Sequence, residues 1–168
     1  MEAQRPNGGG EPVTGDPVKT LRRWILAVLV LGLLGTVTEL ILLEHYEEPL
    51  QYVPLVLIAA ALALLVWHAL RHDAASLRGL QIVMALFVVA GFVGVAAHFN
   101  GSAEFQLDLD PEIGTWELLE KVMRAKAPPL LAPGMMLQMG LLGLAYVYSD
   151  VRYRVRALRV LGLSLQKE

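Results

Sequence analysis

The sequence predicts an all-α membrane protein: a four-transmembrane-helix bundle with an outer interfacial helix and a C-terminal basic amphipathic helix. Three observations carry that prediction. The 168 residues are 55% hydrophobic and only 18% charged, with a mean hydropathy of +0.52, too apolar for an ordinary soluble domain of this size. The apolar residues gather into four stretches, 24–43, 53–70, 80–99 and 130–148. Each is close to the ~20 residues a helix needs to cross ~30 Å of hydrocarbon. The stretches are also apolar all round, without the alternation that a membrane-barrel strand shows.

Taken in order, residues 1–18 hold Gly8, Gly9, Gly10, Pro6, Pro12 and Pro17 with little that is apolar, so this segment is expected to be a disordered tail. The transmembrane domain is expected over 19–149 and a second, amphipathic tail over 150–168. The first span follows Lys19, Arg22 and Arg23, yet it is longer than a secretory h-region and lacks a small-x-small cleavage site, so it reads as a retained anchor. Its resemblance to a twin-arginine signal fails on the same hydrophobicity. Between spans 3 and 4, Asp110-Pro111-Glu112 reads as a turn and Thr115 as the cap of a helix to about residue 126. That helix sets a stripe of Trp116, Leu119 and Met123, flanked by Leu118 and Val122, against the ion pairs Glu117–Lys121 and Glu120–Arg124. It is expected to lie on the outer surface or to lid the bundle. Pro128, Pro129 and Pro133 fall before or within the first turn of span 4, where a missing amide proton costs least. After Asp150, Val151, Val155, Leu158 and Leu165 share one helical face and Arg152, Arg156 and Arg159 another, a pattern that suits an anionic membrane surface or a docking partner.

Orientation follows from the basic residues. Eleven of the 14 Lys and Arg lie in the two tails and the 71–79 loop, while the 44–52 loop has none. Both termini are therefore expected in the cytoplasm, in an inner (plasma) membrane, with the 44–52 and 100–129 segments outside. The formal charge of −2 gives no basic excess for nucleic acid, and zero cysteines exclude disulfides and thiolate metal sites. The expected partners are the bilayer and a membrane protein or a second copy of the chain.

Ionisable and polar residues inside the spans are where function is sought. Gly32, Gly35, Thr36 and Glu39 share a face of span 1, with Tyr46 two turns beyond. Gly91, Gly94 and His98 share a face of span 3; Gly134, Gln138 and Ala145 share one of span 4, with Met135 beside them and Met136 and Met139 on the flanks. Small residues on membrane helices face other helices, so Glu39, His98, Gln138, Met135 and Tyr46 are expected to enclose a polar pocket in the outer half of the bundle. Such a pocket suits a proton, a small solute or a divalent cation, with Glu39, His98 and His45 as metal ligands, or Cu(I) if the thioethers join. The competing reading is an interhelical hydrogen bond that fixes register. The pair His68 and His72, spaced i,i+4 beside Arg71 and Asp73, suits interfacial placement. Haem is disfavoured because His68 and His98 fall near opposite faces of the membrane. No Walker loop, dinucleotide fingerprint, nucleophile elbow or zinc-protease helix occurs, so a non-enzymatic binding or assembly protein is the preferred reading, with a membrane redox subunit or a purely structural subunit as alternatives.

Overall fold

The structure is a computed structural model and describes residues 16–44, 46–47, 49–125 and 131–150. The described chain forms α1 (Pro17–Leu42), a short 3-10 turn (Pro49–Gln51), α2 (Tyr52–Arg71), α3 (Ala74–Leu109), α4 (Thr115–Met123) and α5 (Leu131–Tyr148), with no strand among the described residues. Four of these helices, α1, α2, α3 and α5, are long and apolar enough to cross a membrane. The N-terminal tail before residue 16, His45, Pro128, Pro129 and the basic tail with Arg152, Arg156 and Arg159 lie outside the described residues.

Local signals explain where the helices begin and stop. Asp16 accepts a hydrogen bond from the Val18 amide (3.0 Å) and Pro17 opens α1, where its missing N–H is no loss. The connection between α2 and α3 is two residues long: His72 closes α2 at φ 50°, and Asp73 caps α3 by accepting from the Ser76 amide at 2.7 Å. α3 continues ten residues beyond the expected end of its span. Neither Asn100 nor Gly101 breaks it. It stops at Asp110, whose extended backbone (φ −144°, ψ 89°) is what the following Pro111 imposes. In α4, Gly114 and not Thr115 holds the capping position, and the helix ends three residues earlier than expected.

The four long helices alternate in direction and pack in the ring α1, α2, α3, α5, with α1 and α3 on one diagonal and α2 and α5 on the other. The lower end of the bundle is taken here as the end where α1 and α3 start, the upper end as the one that carries α4. The core is built from Leu29, Leu33 and Leu40 of α1, Ile58 and Leu65 of α2, Leu80, Met84 and Phe87 of α3, and Met136, Met139 and Val147 of α5. The tightest seam joins α3 and α5. A Cβ built on Gly140 would stand 2.8 Å from the Met84 carbonyl oxygen, and one on Gly91 would stand 2.9 Å from the Leu137 amide nitrogen. Hydrogen is all that fits there, so glycine lets the two backbones meet, as small residues do in membrane helix pairs.

α4 packs against α3, and its Val122 is fully buried. The ion pairs Glu117–Lys121 (3.0 Å) and Glu120–Arg124 (3.2 Å) form as their spacing predicts. The aromatic stripe turns the other way: Trp116 is 78% exposed, and Leu119 and Met123 are exposed with it.

Candidate functional site

The structure does not bring the expected pocket residues together. Glu39, His98 and Gln138 are all exposed, and α1 and α3 occupy opposite corners with α5 between them. The expectation that they converge inside the bundle is corrected, for reasons visible helix by helix. In α1 the buried stripe is Leu29, Leu33, Thr36 and Leu40, which leaves Glu39 about 100° round from the inward position that Leu40 takes. In α5 the inward face is Met136, Met139, Gly140, Gly143, Tyr146 and Val147, so Gln138 and Ala145 face out. Gly91 and Gly94 of α3 do face α5, as small residues should, but His98 one turn further is exposed. Met135 is partly buried against the core, and Tyr46 is 39% exposed. Among the described residues no three His, Asp or Glu side chains are placed to share a metal ion, and His45 lies outside them.

What Glu39 does line is a shallow groove, wide open to the surroundings and bordered by α1 and its C-cap alone, together with Leu34, Gly35, Thr38, Leu42 and Leu43. The Thr38 hydroxyl donates to the Leu34 carbonyl at 2.8 Å. The Glu39 carboxylate makes no hydrogen bond or ion pair among the described residues, and it stands one turn below the end of an apolar helix. The groove therefore offers one acidic group among leucines.

The lower end holds a second polar cluster, and this one joins all four long helices. Arg22 of α1 binds Asp150, just past α5, through Nη1 and Oδ2 at 2.7 Å; the Arg22 side chain is 25% exposed and that of Asp150 only 2%. The guanidinium lies 4.6 Å from the centroid of the Tyr146 ring, a cation–π contact. Its Nη2 faces Nε2 of the buried His68 of α2 at 3.5 Å. His68 Nδ1 in turn lies 2.9 Å from the hydroxyl of Ser76, at the start of α3, and that hydroxyl donates to the Asp73 carbonyl at 2.9 Å. A neutral His68 with its hydrogen on Nδ1 is consistent with this chain, donating to Ser76 Oγ and accepting from Arg22 at Nε2. His72 sits 5.6 Å from His68, centroid to centroid, as the i,i+4 spacing predicts. Arg22 Nε is buried without a partner among the described residues, so the cluster is tight but not fully satisfied.

Sequence reasoning missed this junction, although it left a signal. Arg22 precedes span 1, His68 ends span 2, Asp73 and Ser76 open span 3, and Asp150 follows span 4, so counting spans places all of them at one level. Outside the spans, Asp73 is held below the usual carboxylate range, first by the hydrogen bond its carboxylate accepts from the Ser76 amide. Its negative charge thus favours the cap that orders Ser76.

No protein family, curated protein or solved structure matches the chain, so its chemistry is read from its own side chains.

Proposed function

We propose that the chain is a small multi-pass inner-membrane protein of binding type, with both termini in the cytoplasm, that holds a cation in the Glu39 groove on the outer half of α1. The observation that carries this reading is the position of Glu39. An acidic side chain within a membrane span costs a few kcal/mol unless a partner or water meets it, and among the described residues Glu39 has no hydrogen-bond or ion-pair partner. The lower-end junction shows how this chain treats an acid whose role is structural: Asp150 is enclosed and matched to a guanidinium. Glu39 instead faces outward, where a ligand from the bilayer or the outer water layer can reach it.

Both the protonic and the copper readings asked Glu39 and His98 to share a site, and their separation weakens each, while the haem pair His45 and His98 includes a residue outside the described ones. The assembly reading keeps one support, the exposed stripe of Trp116, Leu119 and Met123 on α4, which suits an interfacial lipid layer or a partner subunit.

The test is thermal unfolding of the detergent-solubilised protein, followed by tryptophan fluorescence, with decylammonium and Mg²⁺ as probe cations. At least one probe should raise the melting temperature of the wild type in a saturable way, and Glu39→Gln should lose that response while keeping its own melting temperature. Equal responses of wild type and Glu39→Gln to both probes would overturn the proposal.

A further inference from the structure

Resting on the cation-binding reading, we infer that the natural occupant of the Glu39 groove is the primary ammonium headgroup of an aminophospholipid, with its acyl chain laid along the leucines of α1. The residues around Glu39 select against a bare metal ion. One carboxylate is available, the Thr38 hydroxyl already donates within its own helix, and the remaining lining is Leu34, Gly35, Leu42 and Leu43. A divalent ion in that setting would lack most of the oxygen ligands it requires. An ammonium needs only an acceptor of opposite charge, and a hydrocarbon chain attached to it finds a contact surface on the exposed Leu31 and Leu34 below Glu39.

Gly35 supports the same occupant. Glycine weakens a helix, and the bundle has no need of one here: a Cβ built at residue 35 meets nothing within 4 Å, whereas one built at Gly32 would stand 2.4 Å from Met139 Sδ. Gly32 serves the interior. Gly35 leaves the surface of α1 beside Glu39 without a side chain, in open space. The level fits as well, since Glu39 lies three residues below the end of α1, or about 4.5 Å at helical rise, within reach of a headgroup at the membrane boundary.

The experiment is native mass spectrometry of wild type, Glu39→Gln and Gly35→Leu in detergent, each with phosphatidylethanolamine or phosphatidylcholine of identical chains. Both headgroups carry a cationic nitrogen, but only ethanolamine has N–H donors. The wild type should retain phosphatidylethanolamine over phosphatidylcholine by roughly tenfold, the factor expected of one charge-assisted hydrogen bond. Glu39→Gln should lose the preference by removing the charge, and Gly35→Leu by filling the open space beside it, where a Cβ meets nothing within 4 Å. Circular dichroism and melting temperature identify a folded variant, and Gly35→Leu supplies the comparison should Glu39→Gln fail to fold. Equal retention of the two lipids by the wild type, or a preference that survives in folded Glu39→Gln or Gly35→Leu, overturns the assignment. If decylammonium or Mg²⁺ still separates wild type from Glu39→Gln while the lipids are held equally, the lipid assignment fails and the cation-binding role stands. If neither probe nor lipid separates them, both fail.

Discussion

Replacing Asp150 by Asn tests whether the lower-end junction is what ties the four helices together. At 2.7 Å and an effective dielectric constant of 20, the Arg22–Asp150 attraction is about 6 kcal/mol. Desolvation of the two groups takes back several kcal/mol per ion, so the net worth of the pair is small. Removing one partner is different, because the other charge is left without compensation, and such losses run at about 3–5 kcal/mol. Arg22 is 25% exposed and can relax toward water, which places Asp150→Asn near the lower bound, at about 3 kcal/mol. Arg22→Met leaves an almost wholly enclosed carboxylate and also removes the contact with Tyr146, so it should cost at least as much. The double variant Arg22→Met/Asp150→Leu removes both charges and should cost no more than about 1 kcal/mol. Equilibrium unfolding in mixed micelles of increasing denaturing detergent gives all three values, with Trp24 and Trp67 as reporters on α1 and α2. A single-variant cost below about 1 kcal/mol, or a double variant whose cost equals the sum of the singles, would show that the pair is a bystander.

Three further outcomes follow from individual contacts. Gly140→Ala should destabilise by about 1–3 kcal/mol, because its Cβ would press on the Met84 carbonyl and the Val88 amide, which cannot turn aside; Gly35→Ala should be neutral or stabilising by up to about 1 kcal/mol in the same unfolding assay. Thr36→Val should stabilise by about 1 kcal/mol, since the buried Thr36 hydroxyl has no hydrogen-bond partner among the described residues and valine keeps the shape without the polar atom. The Asp73 carboxylate is held below its ordinary value of 3.8, so its contribution to stability is present above that value and is lost as pH falls through the lowered one. Melting temperatures measured from about pH 5 downward should therefore show an acid decline that is shallower in Asp73→Asn, and parallel curves would refute the assignment.

The membrane spans were legible because hydropathy over ~20 residues is set by the bilayer and not by neighbouring helices. Helix ends that depend on chain chemistry were legible in part. Pro111 does stop a helix, but the apolar run ends ten residues before α3 does, because a helix leaving the hydrocarbon keeps its backbone bonds and needs no apolar sequence to continue. Which face turns inward was harder. Leu29, Leu33, Thr36 and Leu40 are inward while Leu31, Leu34 and Leu42 are exposed, and nothing in the chemistry of leucine distinguishes the two groups when the surroundings are hydrocarbon on both sides. The small-residue rule succeeded at Gly91 and Gly94 and missed at Gly134 and Gly35, where a Cβ would meet nothing. It identifies faces that can approach another helix, not faces that do.

The two ends of the bundle use acidic residues in opposite ways, and that contrast separates the binding role of Glu39 from the register-fixing alternative. A carboxylate that fixes register must touch the helix it positions, as Asp150 touches Arg22 and, through Arg22, the ring of Tyr146 and the imidazole of His68. Among the described residues the Glu39 carboxylate makes no hydrogen bond or ion pair to another helix, and its inward neighbour Leu40 already supplies the packing at that level of α1. Neutralising it should therefore leave the bundle as stable as before, or more stable in hydrocarbon, where an unpaired charge is a cost. A register lock predicts the reverse, a loss of about 1 kcal/mol or more on Glu39→Gln without any change in bound ligand. Unfolding free energies of wild type and Glu39→Gln decide between the two before any ligand is identified, because the sign of the difference is opposite in the two cases.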